Sequence, residues 1–235
     1  MRETPDVESS TDAYATRFAG RAGAYLLDVQ NRAMMRLLSP WQGGHVLDVG
    51  GGHAQLCRPL LDAGWTVTVL GSDPGCFERV RRFHGMRVAC VEGDLLEPPF
   101  APQSFDAVVA LRMLAHLVDA DRFIDGLCRL SRHAVVVDYP ERRSFNAATP
   151  LLYGLKKNIE GNTRTYRMYE RRELVAGFAA RGFGDPTAIG QFFWPMVLHR
   201  KLAQPSLSRA LEAVPRWLGL TALFGSPVCL RTVRP

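Results

Sequence analysis

The sequence predicts an α/β protein with a doubly wound, mainly parallel sheet of seven strands and helices on both faces. Short apolar segments alternate with segments of helical periodicity between residues 46 and 139. The strand segments are apolar at consecutive positions, which is typical of strands buried on both faces. A glycine-rich turn follows the first strand, and right-handed connections between parallel strands then give the doubly wound arrangement.

The predicted elements follow one another at short intervals. A first helix is expected over residues 12–38, where apolar side chains recur at helical spacing before Pro40 ends it. The central strands are predicted at 46–49, 66–70, 87–91, 105–111 and 134–139. The helices between them are predicted at 54–63, 76–83 and 119–130. Strand and helix therefore alternate without a long gap, as a parallel sheet requires.

The pattern changes after Pro140. Residues 141–170 have no clear period and are interpreted as an insertion after the fifth strand. The later elements are predicted as a helix over 170–181, a strand over 188–198, a mostly helical segment over 205–223 interrupted at Pro215, and a strand over 228–233. We therefore expect one domain over 1–235, made of an N-terminal helical segment (1–40), a core (41–140), the insertion (141–170) and a C-terminal part with a helical insertion (171–235).

Composition is that of an ordinary globular protein, with 47% hydrophobic and 22% charged residues. The N-terminal residues lack the apolar core of a signal peptide, and the longest apolar runs are too short to span a bilayer. The five cysteines form no CxxC pair and have no matching histidine spacing, so we expect free thiols and no zinc site. These features predict a cytoplasmic protein.

The net charge of +6 is concentrated in one segment. Residues 142–172 contain eight basic residues and only two acids, Glu160 and Glu170, whereas the rest of the chain carries equal numbers of both. A partner that responds to positive charge is therefore expected at this segment.

The stretch HVLDVGGGHAQL, residues 45–56, carries Asp48 near the end of the first strand and then Gly50, Gly51 and Gly52. Strand ends of this kind line the ligand crevice of an open α/β sheet, and glycines let the backbone approach a ligand or adopt positive φ. A tight turn without a ligand would use the same residues. A dinucleotide fingerprint would need glycine at Gln55, and no GxxxxGK[ST] loop is present, so both of those sites are excluded.

A second stretch, VEGDLLEPPFAPQSFDAVVALRMLAHL at residues 91–117, makes the pattern specific. VLDVGGGHA, residues 46–54, resembles the first motif of class I S-adenosylmethionine-dependent methyltransferases. The second stretch resembles the same family in its acid after the third strand, its LPF-like segment, its SFD strand start and its LxHL ending. The resemblance covers about residues 45–140. It implies a Rossmann-like fold and an enzyme that uses S-adenosylmethionine and leaves S-adenosylhomocysteine as product.

Roles for several residues follow from this resemblance. Asp48 is expected to orient the loop and to meet the methionine ammonium, directly or through water. The three glycines are expected to let the backbone pass beside the methionine and the ribose. Asp94 is expected to accept a hydrogen bond from the adenine amino group, with the Leu95 amide at a ring nitrogen. Alternatively, Asp94 is a turn-forming residue after Gly93.

The second strand departs from the family pattern. The acid that usually receives both ribose hydroxyls falls at Gly71, in the segment TVTVLGSDPG. Either the loop bends so that Asp73 reaches the ribose, or Ser72 and backbone amides share this role. Asp73 precedes Pro74, and an aspartate there is also a common helix cap.

Residues at the ends of strands four and five are expected to face the transferred methyl group, with Leu111 beside the cofactor. His116 is the candidate base because its reference pKa is near neutrality, although a packed histidine at a helix end is the alternative. Arg112 would pair with an acidic group of the acceptor or form a local ion pair. Tyr139 is a further catalytic candidate, or else ends a strand. No His/Asp/Glu cluster indicates a metal-dependent enzyme.

The basic insertion combines its cations with aromatic side chains, which suits an anionic, partly apolar acceptor. Arg164, Tyr166 and Arg167 are the candidate substrate-binding residues, because a guanidinium binds phosphate or carboxylate bidentately. A phosphate-linked lipid, an aromatic acid or a nucleotide-linked sugar would fit. Single-stranded RNA or peripheral contact with a membrane would also fit, and a solvated charged face is the simplest alternative.

Three functions are compatible with these features. The first is S-adenosylmethionine-dependent methyl transfer to a small-molecule or lipid-like, anionic acceptor. The second is a catalytically inactive cofactor-binding module that acts through interactions, which the glycine at position 71 permits. The third is an RNA methyltransferase, and the lack of an appended RNA-binding domain argues against nucleic acid as a partner.

Overall fold

The computed structural model describes residues 2–145 and 166–235. Its strands are β1 (His45–Val49), β2 (Thr66–Gly71), β3 (Val88–Glu92), β4 (Phe105–Ala110), β5 (Ser131–Tyr139), β6 (Gly184–Gly190) and β7 (Val228–Val233). In this part of the chain they form one seven-stranded sheet in the order β3-β2-β1-β4-β5-β7-β6. Strands β1 to β5 pair in parallel, and β7 runs antiparallel between β5 and β6. The predicted doubly wound, mainly parallel sheet is therefore confirmed.

Strand β1 lies at the point where the winding direction reverses. The chain passes from β1 outward through β2 to β3, then returns to β4 on the other side of β1. At such a reversal the loops that follow the two central strands separate, and a crevice opens at the carboxyl ends of the strands.

The helices cover both faces of the sheet. In chain order they are α1 (Asp6–Ser9), α2 (Asp12–Ala15), α3 (Gly20–Leu38), α4 (Cys57–Asp62), α5 (Glu78–His84), α6 (Ala120–Leu130), α7 (Arg171–Ala179), α8 (Met196–Leu202), α9 (Pro205–Trp217) and α10 (Leu220–Phe224). One buried apolar layer joins the sheet to α6 and α7, and the other joins it to α3, α4 and α5. Within the described ranges, no helix has the length and apolar character needed to cross a membrane.

The N-terminal segment is divided more finely than its periodicity indicated. The predicted helix 12–38 is broken into α2, a 3₁₀ turn at Thr16–Phe18 and α3. Ala19 is extended and Gly20 has a φ of 70°, so the chain changes direction there. The apolar spacing continues through the break, which is why periodicity alone did not reveal it. Helix α1 was not predicted.

The C-terminal part also differs from the prediction. The strand expected at 188–198 ends at Gly190, and the apolar residues after it pack against α3, with Phe192 beside Tyr25. The predicted interruption at Pro215 was wrong, because α9 continues through this proline to Trp217. The break falls at Gly219, whose φ of 73° is a left-handed conformation that glycine adopts without strain.

Phe123 on α6 is fully buried in the apolar layer between α6 and the sheet. Replacing it tests how much this layer contributes to stability. We expect Phe123→Ala to lower the free energy of unfolding by about 3–5 kcal/mol, since it removes a buried ring and leaves a cavity. Met86→Ala is the control, because Met86 is fully exposed. Urea unfolding of the two variants provides the measurement, and equal midpoints would contradict this assignment of the core.

Candidate functional site

The glycine loop turns sharply at the carboxyl end of β1. Gly50 has a φ of 73°, and its N–H donates to the carbonyl oxygen of Leu70 at the end of β2 (2.8 Å). A 3₁₀ turn at Gly51–His53 follows, and Ala54 is also left-handed, so α4 begins only at Cys57 rather than at the predicted residue 54. The loop is thereby held over the crevice between β1 and β4.

A small cavity of about 10 Å³ lies under this loop. Its lining includes Asp48, Gly50, Gly51, His53, Leu111 and Arg112. The structure therefore brings together four of the predicted cofactor residues and one predicted catalytic residue, Arg112. A volume of this size is close to what one water molecule needs.

Asp48 is almost completely buried beneath the loop. Burial raises the pKa of its carboxyl to about 7, against the partly compensating charge of Arg112. A Cβ at Gly51 would lie 2.2 Å from its Oδ2, so the glycine is needed for the loop to close over the carboxyl. Asp48 therefore changes its charge near neutral pH, where a cationic ligand would favour the ionised form.

The two acids predicted near ribose and adenine make local contacts. The Asp73 side chain accepts from the Gly75 N–H (2.8 Å) and caps the 3₁₀ turn at Pro74–Phe77, which is the capping alternative. Asp94 accepts from the Leu96 N–H (2.9 Å), as a turn residue does. Leu95 is fully buried. Ribose contact by Asp73 and adenine recognition by Asp94 and Leu95 stay predictions.

Arg112 is the central charged residue of the crevice. Its φ is 60°, a conformation that is costly for a residue with a side chain and that concentrates at functional sites. Its backbone N–H donates to Asp138 Oδ1 (2.5 Å), and its guanidinium donates to Gln55 and lies over the rings of Tyr14 (5.8 Å) and Phe18 (5.1 Å). Its Nη1 is buried and has no hydrogen-bond partner among the described residues.

His53 was not singled out from the sequence, although it lies inside the glycine loop. Its side chain is 7% exposed, and neither ring nitrogen has a hydrogen-bond partner within residues 2–145 and 166–235. The rings of Tyr14 (6.0 Å) and Phe18 (5.5 Å) pack against it. Burial, and then the charges of Arg112 and Arg79, lower the pKa of His53 to about 3, so the ring is neutral and offers one donor and one acceptor.

The remaining catalytic candidates do not line this cavity. His116 ends a 3₁₀ turn at Leu114–His116, with its ring 5.9 Å from that of Tyr166. Tyr139 is buried, and its hydroxyl donates to Glu141 (3.3 Å). Burial raises the pKa of Tyr139 well above its usual range, so it stays protonated. Catalytic roles for these two residues stay predictions.

The described part of the basic insertion is locally compensated. Arg167 pairs with Glu173 and lies over the ring of Tyr169 (4.6 Å). Glu170 is shared by Arg142 (3.1 Å), Arg143 (3.5 Å) and Arg172 (2.7 Å).

The substrate role of this insertion stays a prediction. Tyr166 is 48% exposed, and Arg164 lies outside the described residues. In the part of the chain that the structure describes, no group of three or more His, Cys, Asp or Glu side chains could hold a metal ion.

The chain is similar to known methyltransferases in part of its sequence and in its fold. Residues 46–134 match the family described as "Methyltransferase domain". The ubiquinone biosynthesis O-methyltransferase of Xylella fastidiosa is 34% identical over 99 residues, but that match spans only 39% of each chain. The protein of the same name from Azorhizobium caulinodans is 27% identical over 72% of this chain and 70% of its own length. A solved complex between the Haloferax volcanii Trm112 methyltransferase activator and the putative methyltransferase contains a chain that matches this one with a TM-score of 0.66 and 15% identity. The match covers all of this chain and all of that chain.

Fold and site together define a Rossmann-like α/β protein whose ligand crevice lies at the reversal of strand order. The matching domain, the similar relatives and the shared fold support a class I S-adenosylmethionine-dependent methyltransferase.

The raised pKa of Asp48 predicts a pH-dependent stability. The folded protein keeps this proton where the unfolded chain, with an ordinary value of 3.8, has lost it. The stabilising contribution is therefore present at low pH and is lost as the pH rises through about 7. We expect Asp48→Asn to remove this loss, which amounts to at most about 1.4 kcal/mol per pH unit.

Urea unfolding between about pH 4.5 and 8 gives the comparison, because the variant should gain stability relative to the wild type as the pH rises. Asp62→Asn is the control, since Asp62 forms an exposed pair with Arg58 on α4. Parallel pH profiles for the wild type and Asp48→Asn would rule out a buried, proton-retaining carboxyl.

Proposed function

We propose that the protein transfers a methyl group from S-adenosylmethionine to an oxygen of a small, acidic acceptor. The observation that carries this proposal is the cavity at the end of β1, where Asp48 and the glycine loop lie next to Arg112. A carboxylate and a guanidinium in one crevice suit two ligands of opposite charge, a cationic cofactor and an anionic acceptor.

The residues around the loop fit the cofactor chemically. S-adenosylmethionine supplies an electrophilic methyl group on a sulfonium. In this proposal Asp48 holds the methionine ammonium, because a buried carboxyl with a pKa of about 7 ionises readily beside a cation. Gly50, Gly51 and Gly52 present backbone without side chains, and Asp94 with the Leu95 amide takes the adenine.

The acceptor half of the proposal rests on Arg112. Its buried, unpartnered Nη1 is a donor that suits an anionic oxygen. A guanidinium beside an acceptor hydroxyl lowers the pKa of that hydroxyl and stabilises the oxyanion that attacks the methyl group. An acceptor bound as an anion needs no base during attack, so His116 is required only for a neutral acceptor.

Oxygen is the proposed acceptor atom because relatives from two organisms are named ubiquinone biosynthesis O-methyltransferase. Tyr14, Phe18 and the neutral ring of His53 form an aromatic wall beside Arg112. Such a wall favours an acceptor with an aromatic or apolar body next to its acidic group. A phenol or an aromatic carboxylic acid has this combination.

Replacing Arg112 tests the acceptor site. Activity is measured as S-adenosylhomocysteine formed with a panel of phenols and aromatic acids. We expect Arg112→Gln to lower kcat/KM by about 10–150-fold, the loss that corresponds to a hydrogen bond to a charged group of about 1.5–3 kcal/mol. Arg122→Gln is the matched control, because Arg122 pairs with Glu97 on the exposed side of α6.

An unchanged kcat/KM for Arg112→Gln would remove this residue from the acceptor site. Binding of S-adenosylhomocysteine by the wild type without turnover of any acceptor would favour the alternative of an inactive, cofactor-binding interaction module.

The C-terminal helices support a second proposal, peripheral contact with a membrane and hence access to a lipid-linked acceptor. Exposed apolar side chains line one side of α9 and continue into α10, and Trp217 is the most exposed at 84%. They are Leu207, Val214, Trp217, Leu218, Leu223 and Phe224. The same part of the sequence carries four basic residues on α8 and α9, namely Arg200, Lys201, Arg209 and Arg216. Apolar anchors with neighbouring cations suit an anionic lipid surface.

Sedimentation with vesicles containing anionic phosphatidylglycerol tests this surface. We expect the wild type to bind and the double variant Trp217→Ser/Leu218→Ser to bind at least about ten-fold more weakly, because it loses two apolar anchors. Met86→Ser controls for the loss of an exposed apolar side chain elsewhere. Equal sedimentation of all three proteins would refute membrane contact through α9.

A further inference from the structure

Part of the segment 2–10 is buried at the strand ends that line the ligand crevice. Asp6 and Ser10 are buried, and Asp6 has no exposed surface. Helix α1, which carries Asp6, has only four residues and belongs to neither of the two layers that cover the sheet. Its burial therefore comes from contacts with the strand ends.

Asp6 occupies the end of β2. One carboxylate oxygen accepts from the Ser72 backbone N–H (2.7 Å) and the other from the Ser72 hydroxyl. The Cys76 thiol also donates to this carboxylate (3.3 Å). Burial and then the charge of Asp6 raise the pKa of Cys76 to about 11, so the thiol keeps the proton that it donates.

The segment also contacts the loops that follow the neighbouring strands. The Arg2 guanidinium donates to the carbonyl oxygens of Ser72 and Gly93, the latter at 2.9 Å. The Glu3 carboxylate accepts from the N–H groups of Val118 (2.7 Å) and Asp119 (2.9 Å). The side chains of Arg2, Glu3 and Asp6 thus form hydrogen bonds with backbone groups at the ends of β2 and β3 and in the loop after β4.

The remaining space at the glycine loop is filled by Ser10. A Cβ placed on Gly52 would lie 2.1 Å from the Ser10 Oγ, so this side chain rests directly on the glycine. The cavity left beside it measures about 10 Å³. A nucleoside at the ends of β2 and β3 would overlap the side chains of Arg2, Asp6 and Ser10, so it cannot enter while residues 2–10 keep this position.

We propose that residues 2–10 form an internal plug that occupies the nucleoside part of the cofactor site and must leave before the cofactor binds. The proposal rests on the proposed function, because it takes the crevice at β1 and β2 as the cofactor site. Release of the segment is feasible, since a helix of four residues does not persist without its tertiary contacts. Only the small fraction of molecules with the segment released can bind the cofactor, so the observed Kd equals the intrinsic Kd divided by that fraction.

Variants that weaken the plug test this directly by calorimetry with S-adenosylhomocysteine. We expect Asp6→Ala to tighten binding by about ten-fold or more, because it removes three hydrogen bonds that hold the closed form. Arg2→Ala should act in the same direction. Val7→Ala is the matched control, because Val7 lies on the same helix and is 42% exposed. It should leave the affinity unchanged.

A covalent lock provides the converse test. A Cβ on Gly52 would lie 2.1 Å from the Ser10 Oγ and 2.4 Å from the Cys76 carbonyl oxygen, so the two residues are neighbours and Ser10→Cys brings a second thiol close to Cys76. Added diamide takes up the two thiol hydrogens and leaves a disulfide between residues 10 and 76. We expect the oxidised variant to lose binding of S-adenosylhomocysteine, and dithiothreitol to restore it. Wild type treated with diamide is the control, since its five cysteines are free.

The outcomes separate this inference from the proposed function. Weaker or unchanged binding by Asp6→Ala would overturn the plug, and weaker binding would make Asp6 a ligand of the ribose hydroxyls instead. Normal binding by the cross-linked variant, or failure of the two thiols to join, would also overturn it. Absence of binding by the wild type and by every plug variant would instead overturn the proposed cofactor site itself.

Discussion

A closed ring of hydrogen bonds among four buried or half-buried residues holds the crevice together. Asp138, at the end of β5, accepts from Gln30 Nε2 (2.7 Å) and from the Arg112 backbone N–H (2.5 Å). Gln55 donates to Gln30 (2.6 Å) and receives the Arg112 guanidinium. The ring joins α3, the glycine loop, the loop after β4 and the end of β5. It also fixes the backbone of Arg112 in its strained conformation, because a buried carboxylate left without this N–H would be costly.

The central sheet could be predicted from the sequence because its strands are buried on both faces. Such strands are continuously apolar and end at glycines or polar loops, and the predicted strand 228–233 coincides with β7. The segments that were misjudged are apolar for another reason. The residues after Gly190 are apolar because they pack against Tyr25 of α3, and this contact across the chain has no local signal. The break before Gly20 likewise depends on where Phe18 has to lie, beside His53 and Arg112.

In the candidate site, too, residues with a local sequence signal could be predicted, and residues that depend on contacts distant in sequence could not. Asp48, the glycines and Arg112 follow directly from strand ends and were predicted, because the topology alone brings them to one edge. His53 stands in the same loop, but only its burial and unpartnered nitrogens set it apart from a surface histidine. Asp6 could not have been found, since its contact with Ser72 joins residues 66 positions apart without any shared element.

Burial sets the charge of this crevice as much as its residue types do. It makes His53 neutral and raises the pKa values of Asp48 and Asp138, whereas Arg112 contributes a positive charge. An anionic ligand beside Arg112 and a cationic one beside Asp48 are therefore both favoured, and each strengthens the other across a medium of low polarity. In the closed form, the carboxylate of Asp6 lies at the end of β2 instead. Ionisation of Asp48 and entry of a cationic cofactor are linked, because a cation beside the buried carboxyl favours its ionised form.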